Sequence, residues 1–283
     1  APTRASTLTP TPALPTPGEK GSSAWWLSCG AAAVVFAIMA TARLVQVRRR
    51  RGTEGPEWAA ISIEQLNDLR TKAKALLGDA YSTATMYDIN ARLIRPACEQ
   101  AGRPYAHIVN HGNLLYVQVF ISHAWGENFD EFVNSVNAAF HVWTIKPNIW
   151  ICACALIQSS DPKVVEKQVG LSKNPQRAPF TRALAKAERF LVVRNRAVDL
   201  YSRIWCCWEL AAAHEHGHVG RAGALMVAGP AAFADEGAVD VASAQAANVD
   251  DKEKILRHLL IRGGYKEVNQ LLSQVKQHVA DLA

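Results

Sequence analysis

Beyond its first 55 residues, this 283-residue sequence has almost no excess charge of either sign. The net charge of the whole chain is +6, but residues 1–55 hold seven basic and only two acidic side chains. The other 24 basic and 23 acidic side chains nearly cancel. A domain that binds nucleic acid needs a basic surface to meet the phosphates. We therefore expect no nucleic-acid partner.

The sequence also lacks the patterns of common cofactor and metal sites. It contains no glycine-rich phosphate loop of the P-loop or dinucleotide-binding type. The pairs Cys152-x-Cys154 and Cys206-Cys207 do not have the Cys-x-x-Cys spacing of zinc sites. The histidines at 214, 216 and 218 run from the last turn of a predicted helix into the following segment, which favours solvent exposure or contact with the helix dipole. We expect neither a metal nor a resident cofactor.

A disulfide framework is missing as well. The six cysteines are scattered through apolar stretches of a long chain, which favours reduced thiols in a cytosol-like compartment. Cys152 and Cys154 fall in a predicted strand and are interpreted as small core side chains on one face. No histidine-rich strand end is positioned to activate a thiol, so we do not expect cysteine catalysis.

The first 56 residues comprise three segments of different composition. Residues 1–23 are rich in Pro, Thr and Ser and are predicted to be disordered. Residues 24–42 carry no charge over a length close to the ~20 residues that a helix needs to cross a bilayer. Trp25 and Trp26 lie at the start of this run, and an arginine cluster follows it within the basic juxtamembrane linker 43–56. The positive-inside rule therefore predicts a single-pass span with the C-terminal domain cytoplasmic. The alternative is a targeting segment, which would leave a soluble mature domain.

The rest of the chain divides into a helical lead-in, residues 57–113, and an α/β segment, residues 114–283. The lead-in is predicted to form helices over Glu57–Leu77 and Thr85–Ala101. In the α/β segment, short apolar runs alternate with helical patterns, which is typical of a parallel sheet flanked by helices, with sites at the carboxyl ends of the strands. The predicted strands are Leu114–Ser122, Ile149–Ile157, Arg189–Arg194 and Ala224–Ala228. The predicted helices are Glu127–Trp143, Pro179–Glu188, Ile204–Glu215, Asp250–Ile261 and Tyr265–Ala280.

Two short segments are more specific than this periodicity. The first reads FISHAWGE from Phe120 to Glu127, and the second reads SRIWCCWEL from Ser202 to Leu210. In this order they resemble the strand-A box and the Trp-Cys-x-x-Glu-Leu box of the Toll/interleukin-1 receptor (TIR) domain, including divergent TIR-like proteins of protists. The resemblance covers about residues 114–283 and implies a flavodoxin-like α/β fold.

The resemblance also implies a reaction, cleavage of the nicotinamide–ribose bond of NAD, with Glu209 as the catalytic residue. Loss of nicotinamide leaves an oxocarbenium-like ribose, and a fixed carboxylate stabilises that developing positive charge. NAD is then a substrate and not a resident cofactor. Trp205 and Glu209 are four residues apart and share a helix face. By resemblance, the other residues expected to line the substrate cleft are Phe120, Ser122, His123 and Trp125.

An alternative interpretation remains open for the same segments. An aromatic helix that packs on a sheet and shows one acid in its first turns has the same pattern, and TIR domains of adaptor type are non-catalytic homotypic interaction modules. Both interpretations imply homo-oligomers formed through the TIR-like domain. The interval from Gln158 to Ala178 is longer and more basic than the corresponding TIR loop, and no clear match to its acidic-Leu-Gly pattern is present. The geometry of any assembly is therefore not implied by the resemblance.

Overall fold

The structure is a computed structural model that describes residues 55–169, 174–230, 238–246, 249–261 and 264–282. Residues Thr53–Ala283 form one compact unit. The predicted disordered segment 1–23, the predicted span 24–42 and nearly all of the linker 43–56 lie outside the described residues. Among the described helices, none is both long enough and apolar enough to cross a bilayer.

The predicted α/β class is confirmed, because the described residues form a four-stranded parallel sheet flanked by helices. The strands are β1 (Val119–Ser122), β2 (Ile149–Trp150), β3 (Arg189–Val193) and β4 (Leu225–Ala228). Their order across the sheet is β2-β1-β3-β4, so the chain reverses its direction of travel between β1 and β3. In register, Val119 lies opposite both Ile149 and Arg189. All residues of β1 and β2 are buried, as expected for parallel strands covered on both faces.

The helices follow the predicted pattern over most of the described chain. They are α1 (Ile63–Leu77), α2 (Met86–Ile89), α3 (Arg95–Ala101), α4 (Tyr105–Val109), α5 (Phe129–Ala139), α6 (Cys152–Ala155), α7 (Pro162–Val169), α8 (Pro179–Leu184), α9 (Ile204–Glu215), α10 (Val249–Leu260) and α11 (Tyr265–Asp281). Helix α9 is buried on nearly every side and contacts α8, α10 and α11. A helix that is apolar all round belongs in a core, and this position brings α9 against the sheet.

The lead-in shares the core of the sheet. Ser62 and Gln65 form a capping box that starts α1, with Gln65 N donating to Ser62 Oγ at 3.1 Å and Ser62 N donating to Gln65 Oε1 at 2.9 Å. Just before this cap, the backbone of Ile61 exchanges two hydrogen bonds with Ile149 of β2. Leu66 and Leu69 of α1 are fully buried in the same apolar cluster as β1. The lead-in is therefore part of the packing that positions the sheet.

A proline explains an irregular turn in the second lead-in helix. Helices α2 and α3 are joined by a π-helical segment, Asn90–Ile94, in which Arg95 N donates to Asn90 O. Pro96 follows immediately and has no backbone N–H to continue the regular ladder. The wider turn accommodates the proline without ending the helical run, as π-bulges commonly do.

Several predicted boundaries are wrong. The predicted helix Glu57–Leu77 begins at Ile63, and the predicted helix Glu127–Trp143 spans only Phe129–Ala139. The predicted strand Ile149–Ile157 ends at Trp150, and its second half is the short helix α6. Periodicity does not separate a buried strand from a buried helix in an apolar run of this length. Cys152 and Cys154 therefore lie on a helix and do not share a strand face. The first strand also begins later than predicted, at Val119.

Candidate functional site

A cavity of about 490 Å³ opens at the carboxyl edge of the sheet. Residues that follow β1, the helix α6 that follows β2, and the first turns of α9 that follows β3 all contribute to its wall. This is the edge at which the chain reverses between β1 and β3, where open α/β sheets bind ligands. The volume falls within the range of about 300–1,000 Å³ that is usual for small-molecule sites.

Glu209 lies in the wall of this cavity and is almost fully buried, with 6% of its surface exposed. Its position on α9, four residues after Trp205, brings both side chains to the same cavity, as the sequence predicted. Ser122, the last residue of β1, donates a hydrogen bond from Oγ to Glu209 Oε2 at 2.6 Å. Burial raises the pKa of Glu209 to about 8, and the Ser122 hydrogen bond partly opposes that rise. The cavity therefore holds a carboxyl group that titrates near neutral pH.

Aromatic side chains form much of the remaining wall. The Trp205 ring stacks on Phe180, with ring centroids 4.8 Å apart. The Trp125 indole donates from Nε1 to Cys152 Sγ at 3.0 Å. Tyr87, from the lead-in, packs its ring edge-on against Trp125 with centroids 5.4 Å apart. These contacts hold flat, rigid surfaces around the carboxyl group.

His123 also lines the cavity, but its ring is engaged elsewhere. His123 Nδ1 lies 2.7 Å from Glu127 Oε1, and both side chains are almost completely buried. Burial, with a smaller contribution from the charge of Glu131, raises the pKa of Glu127 well above its usual range. His123 Nε2 and Glu127 Oε2 have no hydrogen-bond partner among the described residues. A buried pair of this kind stabilises one arrangement of the loop after β1.

The remaining predicted site residues are separated by the structure. Phe120 is fully buried between Trp150 and Phe190, at centroid distances of 4.8 and 5.8 Å, and does not line the cavity. Ser122 is also absent from the wall and acts only through its bond to Glu209. The predicted group therefore divides into residues that line the cavity (His123, Trp125, Trp205 and Glu209) and residues beneath it (Phe120 and Ser122).

The cysteines and histidines considered from the sequence lie in several different environments. No cluster of three or more His, Cys, Asp or Glu side chains suited to a metal occurs in the part of the chain that the structure describes. Cys152 and Cys206 line the cavity, and the Cys206 thiol donates to the backbone carbonyl of His123. His214 and His216 are exposed, as expected, but His218 is buried and its Nε2 lies 3.2 Å from Leu184 O.

Sequence reasoning missed several parts of the wall. Tyr87 comes from the lead-in, and Gln245 and Asp251 come from segments far along the chain. No local signal marks them, because only the tertiary fold brings them to the cavity. Arg203 also lines the cavity. It is part of the second motif, so its charge and position could have identified it from the sequence. The interval 158–178 contributes helix α7 as a further part of the wall.

No protein-family model, no curated protein and no solved structure matches this chain.

Proposed function

We propose that this protein is a membrane-anchored, TIR-like NAD glycohydrolase whose cleft cleaves the bond between nicotinamide and ribose. The observation that carries the proposal is the buried Glu209 carboxyl group in the wall of an aromatic-lined cavity. The strand order β2-β1-β3-β4 supports the TIR-like assignment, because it corresponds to the first four strands of the flavodoxin-like order. The span 24–42 supplies the anchor in this proposal, with the described domain on the cytoplasmic side.

The chemistry requires little beyond the carboxylate. Nicotinamide leaves as a neutral molecule, so the positive charge that develops on the ribose needs stabilisation more than the leaving group needs protonation. A negative charge in a site with little water is worth more than the same charge in solution. Trp205 and Trp125 provide flat surfaces for the pyridinium ring or the ribose. Water then attacks the ribose and completes the hydrolysis.

The protonation state of Glu209 links the reaction to pH. With a pKa of about 8, the carboxyl group of the free protein is largely neutral at pH 7. A bound pyridinium cation favours the ionised form and lowers this pKa. Binding of the substrate therefore favours the ionised Glu209 carboxylate that the reaction requires. In this account kcat/KM rises with pH up to about 8, and kcat reaches its plateau at a lower pH.

The alternative is a homotypic docking module without catalysis. Docking surfaces need accessible groups, whereas Glu209 lies in a cavity wall with 6% exposure. This burial favours a small ligand over a protein partner as the occupant. Homo-oligomerisation through the domain is compatible with both functions, and we propose it as the assembly state.

Substitution of two carboxylates of α9, one inside and one outside the cavity, tests the proposal in the purified full chain. Glu209→Gln keeps the shape and the bond from Ser122 but removes the charge, so we expect loss of nicotinamide release with an unchanged circular dichroism spectrum. Glu215→Gln is the matched control, because Glu215 is an exposed carboxylate on the same helix that does not line the cavity. We expect it to retain most of the activity. Equal activity in the wild type and in Glu209→Gln would overturn the assignment of Glu209.

A further inference from the structure

More acidic than basic side chains line the cavity among the described residues. Three carboxyl groups line it, those of Glu166, Glu209 and Asp251. Arg203 is the one lysine or arginine among the described residues of the wall. A substrate that carries a cationic ring and also phosphate groups has to place the phosphates away from the carboxylates. Arg203 is the described group to which they are attracted.

The backbone of Arg203 is tightly fixed. Its N–H donates to Leu200 O at 3.1 Å, and its carbonyl accepts from Cys207 N at 3.0 Å in the first turn of α9. It also pairs with Gln245 across an isolated bridge. The side chain therefore starts from a defined point at the entrance to α9, only two residues before Trp205.

The guanidinium group of Arg203 is held but not neutralised. Its Nη2 donates to the Tyr87 hydroxyl at 3.4 Å, and it forms no ion pair with any described residue. Tyr87 is in turn fixed by its edge contact with Trp125. A guanidinium carries five N–H donors in a fork that matches phosphate oxygens, so most of its donors remain for a ligand.

The acidic part of the wall has a different character. Asp251 forms a side-chain hydrogen bond with Trp205. It also interacts electrostatically with the carboxylates of Asp250 and Glu166. Burial and, to a smaller extent, these acids raise the pKa of Asp251, whereas the charge of Lys254 and the hydrogen bond from Trp205 lower it. A cationic ring is attracted to this side, whereas a diphosphate is repelled from it. The wall therefore distinguishes the two ends of a pyridinium dinucleotide.

We infer that Arg203, positioned by Tyr87 of the lead-in, forms an anion subsite that binds the diphosphate of a pyridinium dinucleotide and thereby selects nucleotides over pyridinium nucleosides. The inference rests on the proposed function and names the part of the substrate that the cleft recognises besides the scissile bond. It also gives the lead-in a role in substrate selection.

Two substrates with the same scissile bond test the subsite. NAD carries the diphosphate, and nicotinamide riboside does not. In the purified full chain, Arg203→Gln is expected to raise KM for NAD by roughly tenfold or more, the usual effect of losing a hydrogen bond to a charged group. We expect KM for nicotinamide riboside to change less than about twofold, because that substrate has no group for Arg203. Tyr87→Phe is expected to raise KM for NAD by a smaller factor and to leave kcat unchanged.

Arg196→Gln provides the matched control. Arg196 is an exposed arginine that pairs with Glu131 and does not line the cavity, so neither KM is expected to change. If Arg203→Gln raises both KM values equally, or neither, the subsite is overturned.

Binding of ADP-ribose, a product that keeps the diphosphate, separates this inference from the proposed function. It is followed by tryptophan fluorescence, because Trp125 and Trp205 line the cavity. Weaker ADP-ribose binding by Arg203→Gln, in a protein that hydrolyses no NAD, would support the subsite and overturn the hydrolase. ADP-ribose binding that is undetectable, or that is the same in both proteins, would overturn the subsite.

Discussion

The Ser122 hydroxyl is the described hydrogen-bond partner of the Glu209 carboxyl group. One neutral donor compensates only part of the desolvation that burial imposes on a carboxylate. This imbalance raises the pKa of Glu209 to about 8 and makes the residue sensitive to its surroundings. The function we propose therefore depends on the ionised Glu209 carboxylate. Burial disfavours this form in the free protein, and a bound cationic substrate favours it.

The raised pKa of Glu209 should make the free energy of unfolding depend on pH, even without substrate. The native state keeps the Glu209 proton between pH 4.5 and about 8, where the unfolded chain has released it. The stabilising contribution is therefore complete below pH 4.5 and is lost as the pH rises through 8. Glu209→Gln has no proton to lose, so we expect its stability relative to that of the wild type to increase from pH 5 to pH 9. Urea unfolding at pH 5, 7 and 9 measures this, and parallel profiles for the two proteins would contradict it.

Removal of the Ser122 hydroxyl should change the pKa of Glu209. The hydrogen bond from Ser122 lowers the pKa of Glu209, so Ser122→Ala is expected to raise it. The rise of kcat/KM with pH would then shift toward alkaline pH, while activity at high pH is largely retained. A profile measured from pH 6 to 10 provides the comparison. A uniform loss of activity without a shift would argue that Ser122 acts in some other way.

At the scale of elements, the carboxyl edge depends on close contact between two strand ends. Gly229 follows β4 with a φ of +88°, and a Cβ there would lie 2.1 Å from the carbonyl oxygen of Arg194. We expect Gly229→Ala to cost about 3 kcal/mol or more, because both the backbone conformation and the contact forbid a side chain. Gly220→Ala is the matched control, since Gly220 has a similar φ of +86° but open space around it. It should cost about 1 kcal/mol. Similar losses in thermal or urea unfolding would refute the close contact.

The cap of α1 tests whether the lead-in belongs to the same folding unit. Ser62→Ala removes half of the capping box and is expected to cost about 0.5–2 kcal/mol. Because Ile61 pairs with β2 and α1 packs in the shared core, the loss should appear in a single cooperative transition. Two separate unfolding transitions would show that the lead-in is independent.

Long elements were predictable in their bounds, and short apolar elements were not. Helix α9 begins at Ile204 and ends at Glu215, as predicted, because its apolar run is longer than a typical strand and begins within the second motif. The two halves of Ile149–Ile157 diverge because an apolar stretch of that length fits a buried strand or a buried helix equally well. In the site, the resemblance pointed to Glu209, and helical spacing predicted that Trp205 shares its face of the helix. Tyr87 and Asp251 were not, because they reach the cavity only through long-range packing.

In the whole molecule that we propose, the predicted span 24–42 anchors the catalytic domain to a membrane. Deletion of this segment is expected to move the protein from the membrane pellet to the supernatant after cell fractionation. The driving force is the apolar length of the segment, which is close to that of a bilayer core. Pelleting that is unchanged after the deletion, in extracts cleared of aggregates, would contradict the anchor. The catalytic proposal does not depend on this result.

The proposed hydrolysis of NAD in the cleft around Glu209 is tested by nicotinamide release from the purified full chain, measured from pH 6 to 9 at several protein concentrations. The account predicts release that increases toward pH 8 as Glu209 ionises and that is abolished in Glu209→Gln. No release at any pH or concentration, or equal release by the variant, would contradict it.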